Sequence, residues 1–380
     1  VTQAAGFLSE SRPAVAAVTG LFDRSRVVTV GGHLLVKEHL DFMADLIPGL
    51  AATPVRLVGV EFLLAADQAD IDRLVTSEAW DEGLARRLYF SWQPLCAYQE
   101  NINVLKAAWQ FNKDRPAGSP VLRIIGLNVL QDLSVIKRQD DFDKPEVMKQ
   151  VFAKGVPDAA MAERIMAELA AAPDSRMLVF CQTAPTLGGW PDRNYATQMA
   201  KRGFHGQQRM GAILAAKLPA LADASGRSVA TVLLSGPWSY RQAKNGLAWP
   251  VDGLVDRLID RAAEGKQADG KTAPGFPLAW NLDKATLGTA LCRMNDFAVS
   301  PEAGASASPA SGLEKSGIPR LKDLADVLVV FGPVRSLHAI TPLEGAITAA
   351  NLAEAVKSLP ATANPASIRV EQLNDSIRKV

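Results

Sequence analysis

The chain has 380 residues, 48% of them hydrophobic and 21% charged, the balance of a globular protein with ample core. Lys and Arg total 41 against 40 Asp and Glu, and this formal charge of +1 gives no basic field to gather nucleic acid or an anionic membrane, so nucleic acid drops out as a partner. Cys96, Cys181 and Cys292 are far apart without C-x-x-C spacing, which excludes a disulfide framework and a structural zinc, and no apolar run nears the roughly 20 residues of a transmembrane segment.

Residues 1–26 read as a short helix leading to a first strand at 27–30, which delivers Gly31 and Gly32 as a turn. Apolar residues at 36, 40, 43, 46, 47 and 50 keep helical spacing to the stop signal Pro48-Gly49. A second strand at 55–62 is nearly continuous in apolar residues, as a parallel strand covered on both faces should be, except for Glu61 at its tip. The segment 67–74 opens an acidic-first helix, and Trp80, Tyr89, Phe90, Trp92, Tyr98, Trp109 and Phe111 mark a helical insertion over 78–118, whose aromatic spacing reads as core packing.

A third strand at 121–127 ends at Asn128, helices follow near 145 and over 157–169, and a fourth strand at 176–181 ends in Gln182-Thr183. A helix at 207–221 precedes a fifth strand at 228–234, tipped by Ser235-Gly236-Pro237-Trp238. Residues 241–320 form a Pro/Gly/Ala-rich elaboration, poorest in large apolar side chains at 301–312. A sixth strand at 327–331 leads through Gly332-Pro333 to His338, and a last helix spans 346–359.

Six apolar strands separated by helices imply an α/β fold with a mainly parallel central sheet flanked by helices, with helical and loop insertions, organised as one domain over 1–380. Parallel strands point one way, so their tips gather on one rim carrying Gly31, Gly32, His33, Glu61, Asn128, Gln182, Ser235, Trp238 and His338. A carboxylate at the tip of a buried strand is costly without a partner, and a carboxylate beside imidazole can activate water directly or through a metal. Glu61 and His33 are therefore the candidate catalytic pair; Gly31, Gly32, His39, Asn128, Gln182, Ser235, Trp238 and His338 are candidate ligand-binding positions. The plain structural alternative has His33 and His39 as turn and helix-face residues, and Glu61 held by Arg56, Arg123 or a backbone N–H group. For a metal, only Glu61, His33 and His338 can be nominated. A lone Gly-Gly with no G-x-G-x-x-G leaves a nucleotide site as the last choice.

These features resemble the superfamily that joins ChaN-like haem-binding lipoproteins, erythromycin esterases and the Tiki and TraB proteins. The resemblance runs over about residues 27–204: the strand, glycines and helix at 27–47, Glu61 with Gln68 and Ile71-Asp72-Arg73-Leu74, the helices between Trp92 and Trp109, Ile125-Gly126-Leu127-Asn128, and Met161-Ala162-Glu163 before the strand at 176–181. It implies a hydrolase scaffold with chemistry at the strand tips, and a divalent metal or haem as the cofactor classes to consider. Members carry Gly-Glu-x-His after the first strand and Gly-x-x-His after a later one; here the corresponding residues are Gly31-Gly32-His33-Leu34 and Gln182-Thr183-Ala184-Pro185, so only Glu61 is plainly kept. These departures leave two expectations open: a hydrolase working at the rim, or a non-catalytic relative that binds haem or another small molecule, or a protein partner, including a further copy of itself. A start at Val1 fits a removed export leader or an artificially shortened chain, with an exported or periplasmic location expected over a cytoplasmic one.

Overall fold

The computed structural model describes residues 2–188, 192–218, 228–236, 238–239, 247–248, 250–269, 275–290, 292, 320–357, 359 and 368–378. Ten strands are present among them: β1 Ser11–Pro13, β2 Val27–Gly32, β3 Val55–Leu64, β4 Arg123–Asn128, β5 Arg176–Gln182, β6 Val229–Leu234, β7 Trp238–Ser239, β8 Leu247–Ala248, β9 Leu278–Asn281 and β10 Val327–Val330. Eight form one sheet in the order β1-β9-β10-β6-β2-β5-β3-β4, and β7 pairs with β8 apart from it. The run from β10 to β4 is parallel throughout and contains all six strands expected from the sequence. The other two, β9 and β1, extend that edge in antiparallel fashion.

Alternation along the central strands explains why both faces are covered. Val28 and Val30, Val58 and Val60, Leu178 and Phe180, and Val232 and Leu234 face one core, shared with Leu40, Met43, Leu46 and Ile47 of the Lys37–Gly49 helix and Leu105 and Ala108 of the Gln99–Asp114 helix. Their neighbours in sequence, Val27, Leu57, Met177, Val179, Cys181 and Val229, face the opposite core with Ile165 of the Pro157–Ala171 helix and Leu214 of the Met210–Lys217 helix. A strand buried on both faces needs apolar residues at every position, and that is the continuous pattern the sequence carries. A third cluster at the antiparallel edge packs Trp280, Leu328 and Val330 with Phe7 and Val255.

Three local features depart from expectation. β2 runs on through Gly31 and Gly32, which pair with Cys181 and Gln182 of β5, so the two glycines end a strand rather than make a turn. The 78–118 stretch is helical as expected, with helices Glu82–Trp92 and Gln99–Asp114. Near the C-terminus the helix is Leu352–Lys357, because the chain first turns at Gly345 with φ +63°, a value that glycine tolerates. Within 241–320, β9 and the Leu254–Asp269 helix supply core in what the composition marked as excursion, while 293–319 lie outside the described residues.

Candidate functional site

The connection from β2 to β3 begins with the Lys37–Gly49 helix on one face, whereas that from β5 to β6 ends with the Met210–Lys217 helix on the other. β2 and β5 are adjacent, and their connections leave in opposite directions, toward β3 and toward β6. This is the topological switch point of the sheet, where an open α/β fold has its crevice beyond the strand ends. Gly32 and Gln182 pair at that point, and Glu61 stands on the next strand along.

Glu61 owes its position to an irregularity in β3. Val60 pairs with Gly126 of β4, but the next pair is Leu64 with Asn128, so four steps on β3 oppose two on β4. Such a bulge re-aims side chains and interrupts the ladder, and two side chains repair the interruption. On the β5 side, Glu61 Oε2 accepts the backbone N–H of Gln182 at 2.7 Å, and Oε1 accepts from Gln182 Nε2 at 3.3 Å. On the β4 side, Gln68 donates to the Ile124 carbonyl at 2.8 Å and accepts the Gly126 N–H at 3.1 Å. Gly126 is required for this geometry, since a Cβ there would lie 2.4 Å from the Leu64 carbonyl oxygen. Arg56 and Arg123 are engaged elsewhere, Arg56 with the Thr53 and Val55 carbonyls and Arg123 with Asp72 and Glu168, so a backbone N–H is the partner Glu61 uses.

Burial pushes the Glu61 carboxyl up to about 7, against the hydrogen bonds from Gln182 and aided by the charge of Asp158. Asp158, Tyr195 and Arg209 form a polar knot beside it that the sequence reading missed. Asp158 accepts the Met210 N–H at 2.8 Å and Arg209 Nη1 at 3.3 Å, while Arg209 Nε reaches Asp192 at 2.9 Å and its guanidinium lies 3.9 Å over the Tyr195 ring. Burial also raises Asp158, with Arg209 pulling the other way. Cys181 on β5 is within reach of both Glu61 and Asp158, and burial together with the Glu61 charge lifts its thiol well above the usual range. The knot draws on residues 158, 192, 195 and 209, and no local spacing links them.

His39 belongs to the end of β6 instead. It is 1% exposed; its Nδ1 accepts the His33 N–H at 2.8 Å, and Nε2 meets the Ser235 carbonyl at 3.1 Å, so the ring is neutral with its proton on Nε2. Burial holds its pKa down to about 4. Gly32 and Gly236 let backbone approach this ring: a Cβ on Gly236 would lie 2.7 Å from His39 Cε1. Gly31 in turn admits Thr186, whose Oγ1 would lie 2.5 Å from an added Cβ. His33, its pKa lowered by burial, accepts the Leu35 N–H on Nδ1 at 3.1 Å.

The remaining candidates are spread out. Asn128 is buried at the tip of β4 and accepts the Val129 N–H. Ser235 is buried and donates its N–H to Val329 at 2.8 Å. His338 is exposed and pairs with Glu38 at 2.6 Å, away from the knot around Glu61. Trp238 opens β7, and its side chain lies outside the described residues. Among the described residues no three His, Cys, Asp or Glu side chains group as a metal ion requires. A haem iron or metal needs an imidazole lone pair; both His39 nitrogens and His33 Nδ1 are committed to backbone and do not fit that role. No described helix is long and apolar enough to cross a membrane.

No family model and no curated protein matches the sequence. Solved structures do match. A Bacillus cereus protein aligns over 90% of this chain and 99% of its own with a TM-score of 0.57 at 11% identity. A succinoglycan biosynthesis protein aligns over 90% and 98% with a TM-score of 0.54 at 8% identity. The chain shares their erythromycin esterase/ChaN-like fold. An erythromycin esterase mutant in its open conformation aligns over 86% of this chain and 94% of its own at 13% identity, but its TM-score of 0.48 is too low to inform the chemistry. At these identities the likeness is one of fold alone.

Proposed function

We propose that the protein is a hydrolase whose proton carrier is Glu61, acting on an ester- or amide-type bond at the ends of β3 and β5. The observation that supports this reading is a buried carboxyl, re-aimed by a bulge in β3 one strand from the switch point of the sheet, with a pKa of about 7. A general base works best when its pKa lies near the working pH, because it is then both available and able to pass the proton on. In the ionised form Glu61 takes a proton from an attacking water, and it returns that proton to the leaving group. The exposed Gln182 amide, held to Oε1 at 3.3 Å, is the cover that moves aside for substrate. Glu61→Gln is expected to lower kcat/KM on a panel of esters and amides by about 100-fold or more, and the wild-type rate should climb with pH through about 7. An unchanged rate in the variant contradicts this reading.

A second reading is favoured by the saturated ring of His39 and by Gly32 and Leu34 at the resembling family's acid and histidine positions: the crevice binds a small molecule or a protein partner without transforming it. In that case a ligand binds saturably, and Glu61→Gln leaves its affinity and its chemical identity unchanged.

A further inference from the structure

At the opposite end of the strands, near the start of β3, lies a cavity of about 530 Å³ that plays no part in the chemistry above. Arg56 on its wall and Glu61 are five residues apart on one strand, about 16 Å at the usual rise. Pro48, Ala51, Ala107, Phe111, Pro116 and Pro120 make up its apolar lining. Three prolines give a wall with fixed φ and no N–H donors to satisfy, so it is preformed and tolerates an apolar guest. The volume falls within the range of small-molecule sites, roughly 300–1,000 Å³.

Two guanidiniums also line this space, and both are locked by backbone carbonyls. Arg56 Nη1 donates to the Thr53 and Val55 carbonyls at 2.8 and 2.6 Å. Arg115 donates from Nε to the Ser119 carbonyl at 3.1 Å and from Nη1 to the Asn112 carbonyl at 2.7 Å. Each keeps further N–H donors in a fixed planar fork, the geometry suited to carboxylate. Asp114 also borders the cavity, but its Oδ2 accepts from Gln110 Nε2 at 2.7 Å, and the two arginines outnumber it.

We propose that this cavity is a binding site for an amphipathic monocarboxylate, its apolar body against Phe111 and the prolines and its carboxylate on Arg56 and Arg115. The two requirements are separable, because the apolar wall sets a dependence on chain length and the guanidiniums set a dependence on charge. The site is independent of Glu61, so its failure leaves the hydrolase reading untouched.

The test is titration of the full chain, by calorimetry and by NMR, with hexanoate, octanoate and decanoate below their micelle concentrations and with the matching alcohols. Binding should tighten by about fourfold per added methylene until the cavity is full. The alcohols should bind about tenfold or more weakly, and Arg56→Gln and Arg115→Gln should each cost the carboxylates about tenfold while leaving the alcohols unmoved. Should the arginine variants fold poorly, Ala107→Trp fills the cavity from its helix wall while keeping both arginines in the chain, and it should abolish binding. Alcohols binding as tightly as carboxylates, carboxylate binding that survives Ala107→Trp, or no saturable binding to the wild type would each overturn the proposal.

Discussion

At the end of β2, glycines let neighbouring side chains close onto the backbone, and a neutral imidazole ties the His33 amide to the Ser235 carbonyl of the next strand's tip. At the end of β3, which pairs with β5 on the side opposite β2, the regular ladder fails and a carboxylate takes the place of a strand neighbour. The two tips meet the same need, partners for backbone groups where pairing stops, in chemically opposite ways. A neutral His39 is content in a dry site and its proton is fixed. Glu61 in a dry site is pushed toward holding a proton that it can also lose near neutrality. The Gly-Gly-His stretch, conspicuous in sequence, packs closely against its neighbours, and the less conspicuous carboxylate is the group whose protonation changes near neutral pH.

His39→Ala should have the largest effect, since it strands one buried donor and one buried acceptor and leaves a void: a loss of about 2–5 kcal/mol in urea denaturation. A loss below about 1 kcal/mol would mean that the imidazole does not tie the strands. The sign of its pH dependence is also fixed. The folded-state pKa is depressed from 6.5 to about 4, so the folded state resists protonation, and the contribution of His39 is lost as pH falls from about 6.5 toward about 4.

Glu61 should behave in the reverse sense. Its folded-state pKa is raised from 4.5 to about 7, so its contribution is fully present below about 4.5 and is lost as pH rises through about 7. Glu61→Gln carries no charge to bury, and its stability should gain on the wild type by up to about 3 kcal/mol between those limits. Denaturation curves at pH 4.5 and 8 measure this directly, and a constant difference between the two proteins would erase the contrast between the two tips.

Much of the fold was legible because strands covered on both faces leave continuous apolar runs, and all six such runs became parallel strands. β1 and β9 escaped notice for a physical reason. Three or four residues are too few to show a period, and Ser11-Arg12-Pro13 has the composition of a sheet edge, where Pro is tolerated because no inner partner needs its N–H. At the site, Glu61 was legible as an acid in an apolar strand. Its partner was not: Gln182 supplies a backbone N–H, which any residue but proline carries, and the bulge that makes that bond reachable has its signature in Gly126 and Gln68 on other elements. Asp158 and Arg209 were hidden because a salt bridge between residues 51 apart leaves no local pattern.

The most direct test is a titration of the Glu61 carboxyl itself, by difference infrared spectroscopy of the full chain with Glu61→Gln as the reference. The expected result is a protonated carboxyl band that disappears with a midpoint of about 7 and is missing from the variant. A midpoint in the ordinary glutamate range, about 4 to 5, would contradict the claim that this strand tip holds a proton carrier matched to neutral pH.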